Sequence, residues 1–203
     1  MENKEYTYGY CHITITPRDS TKLLRTNSER AFVISQLQDL LSPRLILGDI
    51  PAYRQLASCI DLLAFSISRS AIHLLIFAID TTVASDFAHR IVARLSQFQY
   101  EYRPPHHRPN TEALVTIKRL AGPHQALEHS VQIHLLHKDW EYDRYSSIGF
   151  YLHDRRGDWM RVWRLTALYE NESLHYYELI HTRRLPGQAN GTGWTTSLAL
   201  PAS

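Results

Sequence analysis

The stretch that most constrains the fold of this chain is Asp61–Asp80, which reads DLLAFSISRSAIHLLIFAID. Two apolar runs flank a short polar turn, Ser68-Arg69-Ser70. Each run has the length and the β-branched or aromatic content of a buried strand. The turn has a length that β-hairpins use. The pattern therefore predicts an antiparallel hairpin at the centre of a β-sheet.

The segments around this hairpin alternate between strand and helix patterns. Tyr8–Thr16 has the period-2 alternation of a strand, and an apolar helical stripe predicts a helix with its N-cap at Ser28 and its end near Leu41. A second helix is predicted at Val83–Tyr102 and a further strand at Ala113–Leu120. The order β-α-β-β-α-β is that of a ferredoxin-like α+β fold with an antiparallel sheet.

The chain beyond this unit predicts a helical extension. A helix begins at Pro123, and we expect its inward residues to be Leu127, Val131, Leu135 and Leu136, with its histidines arranged around them. Two closing helices are predicted at Trp159–Tyr169 and Ser173–His181. The predicted organisation is a ferredoxin-fold domain at residues 1–122, an extension packed on it at 123–184, and a disordered tail at 185–203.

The composition limits the classes of function. The 203 residues carry 44% hydrophobic side chains and a formal net charge of +2, so a nucleic-acid surface would need local clusters of Lys and Arg. No apolar run reaches the roughly 18 residues that span a bilayer, and no secretion signal precedes the first strand. We therefore expect a cytoplasmic protein in which Cys11 and Cys59 are buried free thiols.

Two separated tracts resemble one protein family. Ser70–Ile76 (SAIHLLI) resembles the Asn-His-hydrophobe-His-Leu-Leu strand of the REP-associated tyrosine transposases, which are IS200-like, single-tyrosine HUH enzymes. Ile133–Lys138 and Asp143–Leu152 resemble the family's Tyr-Ile-His-Leu-Asn-Pro and Trp-Ser-Ser-Tyr-x-x-Tyr-Leu signature, and Cys11–Thr14 resembles its first strand. The resemblance spans about Tyr8 to His181. It implies an HUH-type ferredoxin fold and a tyrosine that cuts single-stranded DNA beside a metal ion.

This sequence departs from the family at the positions that carry the chemistry. Ala71 replaces the first histidine of the motif, so His73 remains as one imidazole where the family uses two for its metal. The interval Asn110–Leu120, where the family places its nucleophile, contains no tyrosine. The departures predict an inactive relative without a metal cofactor, in which His73 is a core histidine with hydrogen-bonded nitrogens.

An active enzyme stays open as the alternative. It would use Mg²⁺ or Mn²⁺ at a site rebuilt from His12 and His73, because the first and third strands are neighbours in a ferredoxin-like sheet. The nucleophile would be Tyr100 or Tyr102, at the end of the predicted long helix. The other interpretation of these tyrosines is that they cap the core at the helix end.

The basic and tyrosine side chains of the sequence predict nucleic-acid binding. Basic side chains that can neutralise phosphates, together with tyrosines that can stack unpaired bases, occur in several segments that we expect along one edge of the domain. The candidates are Arg69, Arg90, Arg94, Arg103, Arg108, Lys118, Arg119, Tyr100, Tyr102 and Tyr145.

The leading hypothesis is a non-catalytic, transposase-derived regulator that binds hairpin single-stranded DNA or RNA stem-loops. The resemblance implies such ligands, because its members recognise imperfect hairpins. The alternatives are the metal-dependent nicking enzyme and a protein-interaction module that would expose an apolar patch instead. The sequence predicts no membrane partner, and it is compatible with either a monomer or a homodimer.

Overall fold

A computed structural model describes residues 8–19, 22–42, 56–103, 112–137, 139–152, 154–169 and 173–183. The predicted tail at 185–203 and Arg108 lie outside these ranges. The strands are β1 (Gly9–Pro17), β2 (Ile60–Ile67), β3 (Ile72–Ala78) and β4 (Ala113–Leu120). The helices are α1 (Asn27–Leu41), α2 (Leu56–Cys59), α3 (Thr81–Tyr102), α4 (Pro123–His134), α5 (Ile148–Tyr151), α6 (Trp163–Thr166) and α7 (Ser173–Arg183).

The fold is α+β and is built on one open antiparallel sheet with the strand order β2-β3-β1-β4. The predicted hairpin is confirmed, since β2 and β3 pair antiparallel across the turn that Ser68 begins. The Ser68 hydroxyl and amide both bond the Ala71 carbonyl and close this turn. The predicted strand at Ala113–Leu120 has the observed bounds of β4. None of the helices in the described ranges is long and apolar enough to cross a membrane.

The pleat of the sheet separates two hydrophobic clusters. Ile13 of β1 and Leu74 of β3 belong to the face on which α1 and α3 pack, the α1/α3 face. Leu75 of β3 lies on the opposite face, where α4 and the extension pack, the α4 face. Both faces of β3 are therefore buried. Cys11 and Cys59 lie in the α1/α3 cluster as buried free thiols, as predicted.

The N-cap of the first helix lies two residues earlier than predicted. Thr26 is the N-cap, not Ser28: its hydroxyl accepts the Glu29 amide at 3.1 Å, and the Glu29 carboxylate accepts the Thr26 amide at 3.2 Å. This reciprocal pair satisfies two helix-end donors, which a cap at Ser28 would leave open. The end at Leu41 is confirmed.

The inward face of α4 differs from the prediction. Leu136 lies beyond the helix and is exposed, and Leu127 and Leu135 are only partly buried. The buried residues are Ala126, His129, Ser130, Val131, Ile133 and His134. Polar residues point inward here because the surface below them carries polar partners, so burial does not leave them without hydrogen bonds.

The extension covers the outer edge of β2. The Ile67 amide donates to the Tyr145 carbonyl, and the Ser147 amide donates to the Phe65 carbonyl, each at 2.9 Å. Farther along β2, the Arg161 amide donates to the Leu62 carbonyl at 2.9 Å. The tract that resembles the second family signature thus satisfies backbone groups that an edge strand would otherwise expose.

A buried hydrogen-bonded chain holds α4, α5 and α7 together. His134 Nε2 lies 2.7 Å from the Ser147 hydroxyl, and His134 Nδ1 lies 2.6 Å from the Tyr176 hydroxyl. Tyr176 lies 3.1 Å from the Ser130 hydroxyl, which donates to the Leu127 carbonyl at 2.7 Å. When neutral His134 carries its proton on Nδ1, each of these hydrogen bonds has one donor and one acceptor. Full burial lowers the pKa of His134 to about 3.

The burial of neutral His134 predicts that the folded protein loses stability in acid. The unfolded chain binds a proton at His134 below about pH 6.5, whereas the folded chain does so only near pH 3, so the free energy of unfolding falls as the pH drops through this window. The slope due to one histidine is about 1.4 kcal/mol per pH unit. We expect urea unfolding of His134→Gln to lose that part of the slope between pH 6.5 and 5.

Tyr176→Phe is the matched control for this experiment. It removes one hydroxyl from the chain and should cost about 1–3 kcal/mol of stability at every pH, because its neighbours lose a partner. It keeps His134 and therefore keeps the wild-type slope. Equal slopes in wild type and His134→Gln would contradict the role of His134.

Candidate functional site

One part of the α4 face stays uncovered. α4 packs across β2, β3 and β1 and leaves the β1–β4 half of this face exposed. Alternation along β4 puts Leu114, Thr116 and Lys118 on this side, and Leu114 is 54% exposed. Pairing places Thr14 beside Thr116 and Thr16 beside Leu114. We call these five residues the exposed strip.

A row of histidines borders the exposed strip. His12 lies opposite Lys118 in the β1–β4 pairing, and His73 lies opposite Thr14 in the β1–β3 pairing. His12 Nε2 is 3.3 Å from His73 Nδ1, while His12 Nδ1 is 3.2 Å from Nδ1 of His129 on α4. The prediction that His12 and His73 are neighbours is therefore confirmed, and His129 joins them.

These histidines are held neutral at physiological pH. Burial, and then the neighbouring imidazoles and Lys118, lower the pKa of His12 to about 3. Burial, and then His137, lower the pKa of His73 to about 4. Burial also lowers the pKa of His129. Neutral imidazoles can each donate one proton and accept another, so the row is a hydrogen-bonded chain rather than a cluster of charges.

The three imidazoles do not converge on one point. His12 turns its two nitrogens toward different partners, so neither nitrogen faces a position shared by all three rings. Within the described ranges, no group of three or more His, Cys, Asp or Glu side chains is arranged to hold a metal ion. Mg²⁺ in particular takes oxygen ligands, which this row lacks. A site for Mg²⁺ or Mn²⁺ at His12 and His73 stays a prediction.

The tyrosines of that hypothesis lie on the other side of the sheet. Tyr100 and Tyr102 end α3, which packs on the α1/α3 face, and they are 60% and 72% exposed. The Tyr102 ring contacts Phe98 with 4.6 Å between centroids. His12 and His73 project from the α4 face. The structure thus brings the histidines together and separates them from both tyrosines.

The predicted basic residues do not form one cluster. Arg94 donates to Asp39 at 2.8 Å and to Gln36 at 2.6 Å, which ties α3 to α1. Arg103 is buried against Glu29, whose carboxylate accepts its Nε–H at 2.6 Å. Arg90 is exposed on α3 and Arg69 is exposed at the hairpin turn. Among the predicted basic residues, Lys118 is the member of the exposed strip.

Tyr145 is positioned for structure rather than for base stacking. It is buried, and the Arg30 guanidinium carbon lies 3.8 Å from its ring centroid. Arg144 lies over the same ring at 4.9 Å. A base could stack on Tyr145 only by displacing a side chain.

An aromatic cleft lies at the end of the strip beyond Lys118. It has a volume of about 540 Å³. Its aromatic residues were not among the predicted site residues, although the alternation of Tyr8, Tyr10, His12 and Thr14 along β1 places them on one side of that strand. The lining residues include Tyr8, Tyr10, Phe77, Arg119 and Gln125.

Neither a protein-family model nor a curated protein matches this sequence. The resemblance to the REP-associated transposases therefore stays a prediction that rests on the two tracts quoted above.

The Glu29–Arg103 pair predicts a structural role for Arg103. Glu29→Gln keeps an acceptor for the α1 cap but leaves the buried guanidinium without its counter-charge, so the free energy of unfolding should fall by about 3–5 kcal/mol. Thr26→Ala, which removes only the cap, should cost about 1 kcal/mol. Urea denaturation measures both.

The double variant Glu29→Gln/Arg103→Met separates the pair from the cap. It should recover much of the stability that Glu29→Gln loses, because no charge is left buried alone. If Glu29→Gln proved no more costly than Thr26→Ala, the ion pair would not be the stabilising element.

Proposed function

We propose that this protein binds single-stranded or hairpin nucleic acid along the exposed strip and does not cleave it. The observation that carries the proposal is the uncovered β1–β4 half of the α4 face, where Lys118 stands beside Thr14 and Thr116. Lysine can neutralise a phosphate, and threonine hydroxyls can hydrogen bond to phosphate or sugar. A flat surface of this kind suits an extended or unpaired strand.

The topology supports descent from an HUH-type domain. The order β-α-β-β-α-β, the sheet order β2-β3-β1-β4 and the two long helices on one face are what a ferredoxin-like domain would have, and they support this assignment. The resemblance of the two tracts adds a REP-associated transposase as the relative from which the protein derives. We take its role to be regulatory.

Binding without cleavage follows from the placement of the groups. Attack on a phosphate needs a nucleophile and a charge-stabilising group at the same phosphorus atom. Tyr100 and Tyr102 end α3 on the α1/α3 face, whereas His12 and His73 lie on the α4 face, and this placement supports binding without cleavage. Because Ala71 replaces the first histidine of the family's motif, one of its two metal-binding histidines is missing here. A nucleic-acid strand bound at this surface would therefore not be cleaved.

Hairpins are the favoured ligands in this proposal. A hairpin presents unpaired loop bases beside a charged stem, and DNA and RNA hairpins do so in similar ways. The exposed strip offers contacts that do not depend on which sugar is present. Competition between DNA and RNA hairpins of the same sequence would rank the two.

Removing the charge of Lys118 tests the surface. Lys118→Gln should weaken hairpin binding measured by fluorescence anisotropy, and the slope of log affinity against log salt should fall in magnitude by about one, since one phosphate contact is lost. Arg156→Gln is the matched control, because Arg156 is exposed in the extension, which covers the opposite edge of the sheet. Equal effects of the two variants would argue against the strip.

A cleavage assay tests the second half of the proposal. A labelled DNA hairpin incubated with the protein and Mg²⁺ or Mn²⁺ should remain intact. A covalent protein–DNA product that disappears in Tyr100→Phe or Tyr102→Phe would overturn binding without cleavage and establish the nicking enzyme.

A further inference from the structure

The aromatic cleft lies beyond the exposed strip at the end of β4, with the buried Leu120 between Lys118 and its aromatic rings. In the strand register, Thr116 pairs with Thr14, Lys118 with His12, and Leu120 with Tyr10. Tyr10 also pairs with Phe77 of β3. Tyr10 and Phe77 line the cleft, one register step beyond the pairing of Lys118 with His12.

The Phe77 ring is fixed in place by its neighbours. The Tyr10 ring meets Phe77 edge-on, with centroids 5.0 Å apart and an interplanar angle of 69°. The Arg164 guanidinium lies 4.2 Å from the Phe77 centroid and is itself paired with Asp61. Such contacts orient Phe77 before any ligand arrives, which limits the entropy lost on binding.

Tyr8 supplies an accessible second ring. It is 62% exposed and lies nearly parallel to Phe77, with an interplanar angle of 16° and 6.4 Å between centroids. An exposed aromatic ring provides a surface on which any nucleobase can stack.

Arg119 supplies the positive charge of the cleft. Its side chain lies along Gly9, where a Cβ would meet the guanidinium nitrogen Nε at 3.5 Å. A Cβ at Gly9 would thus be in ordinary van der Waals contact with Arg119, which lines the cleft beside it. Arginine binds phosphate oxygens through paired N–H donors.

We propose that the cleft receives one unpaired base of the bound strand, with its ring against the exposed Tyr8 and its phosphate on Arg119. This inference rests on the proposed function, because it assigns the end of the same surface. The strip would hold the backbone without sequence preference, and the cleft would require an unpaired nucleotide at a fixed distance from the Lys118 contact.

A stacking variant and an abasic ligand test the cleft together. The probe is a mixed-sequence DNA strand of about 12 nucleotides, a length within the site sizes of single-strand binders. Tyr8→Ala should weaken binding about tenfold, the scale of one lost base stack. Moving a single abasic site along the strand should produce a similar loss at one position in the wild type and no further loss at that position in Tyr8→Ala.

Tyr142→Ala is the matched control, since Tyr142 is a tyrosine of the extension that is 85% exposed. It should leave affinity unchanged. Arg119→Gln should lower the magnitude of the salt slope by about one. Free dAMP should bind much more weakly than the strand because it cannot reach Lys118; equal affinity would overturn the assignment to a strand.

The outcomes separate the two proposals. Loss of affinity in Lys118→Gln with none in Tyr8→Ala would overturn the cleft and leave the strip standing. Affinity that no abasic position changes would also overturn the cleft. Failure of every strand and hairpin to bind the wild-type protein would overturn the proposed function itself, and the inference with it.

Discussion

The structure depends on the burial of β3 on both of its faces. Pleating sends Ile72, Leu74 and Ile76 to one side and His73, Leu75 and Phe77 to the other. The first set needs the cover of α1 and α3. The second set needs the cover of α4 and the extension, so the domain cannot complete its core without the chain that follows β4. This requirement explains why residues beyond Pro123 pack on the sheet rather than forming a separate unit.

The way the extension attaches decides which surface remains open. The extension forms hydrogen bonds to the outer edge of β2 through Tyr145, Ser147 and Arg161. In the strand order, β2 lies at the opposite end of the sheet from β4. α4 then reaches across the sheet only as far as β1. The β1–β4 half of the α4 face is left uncovered because the anchor is at β2, and the polar residues of β4 match this exposure. The site proposed for nucleic acid is thus a consequence of how the core is closed.

The elements with strong periodicity could be predicted from the sequence, and the partners of polar side chains could not. The hairpin, α3 and β4 follow from apolar patterns that a single segment contains. His12, His73 and His129 come from three segments, with separations of 61 and 117 residues along the chain, and no local pattern reports their contact. Arg94 was expected among the basic residues along one edge of the domain, but it donates to acceptors on α1, which only the packing of α1 on α3 supplies. The burial of the α4 histidines could not be predicted for the same reason, because their hydrogen-bond partners lie on other elements.

Pairing of the arginines changes how such a protein could hold a nucleic acid. Arg94 and Arg103 are paired with acidic residues of α1, and the net charge is only +2, so these two guanidinium groups contribute little to counterion release from a phosphate backbone. Binding energy would then have to come from stacking and shape to a greater degree than from charge. That balance favours ligands with unpaired bases in a fixed geometry over long duplexes, because a duplex offers this surface mostly phosphates. For the proposed function, this balance favours a hairpin with a short single-stranded flank over a long duplex.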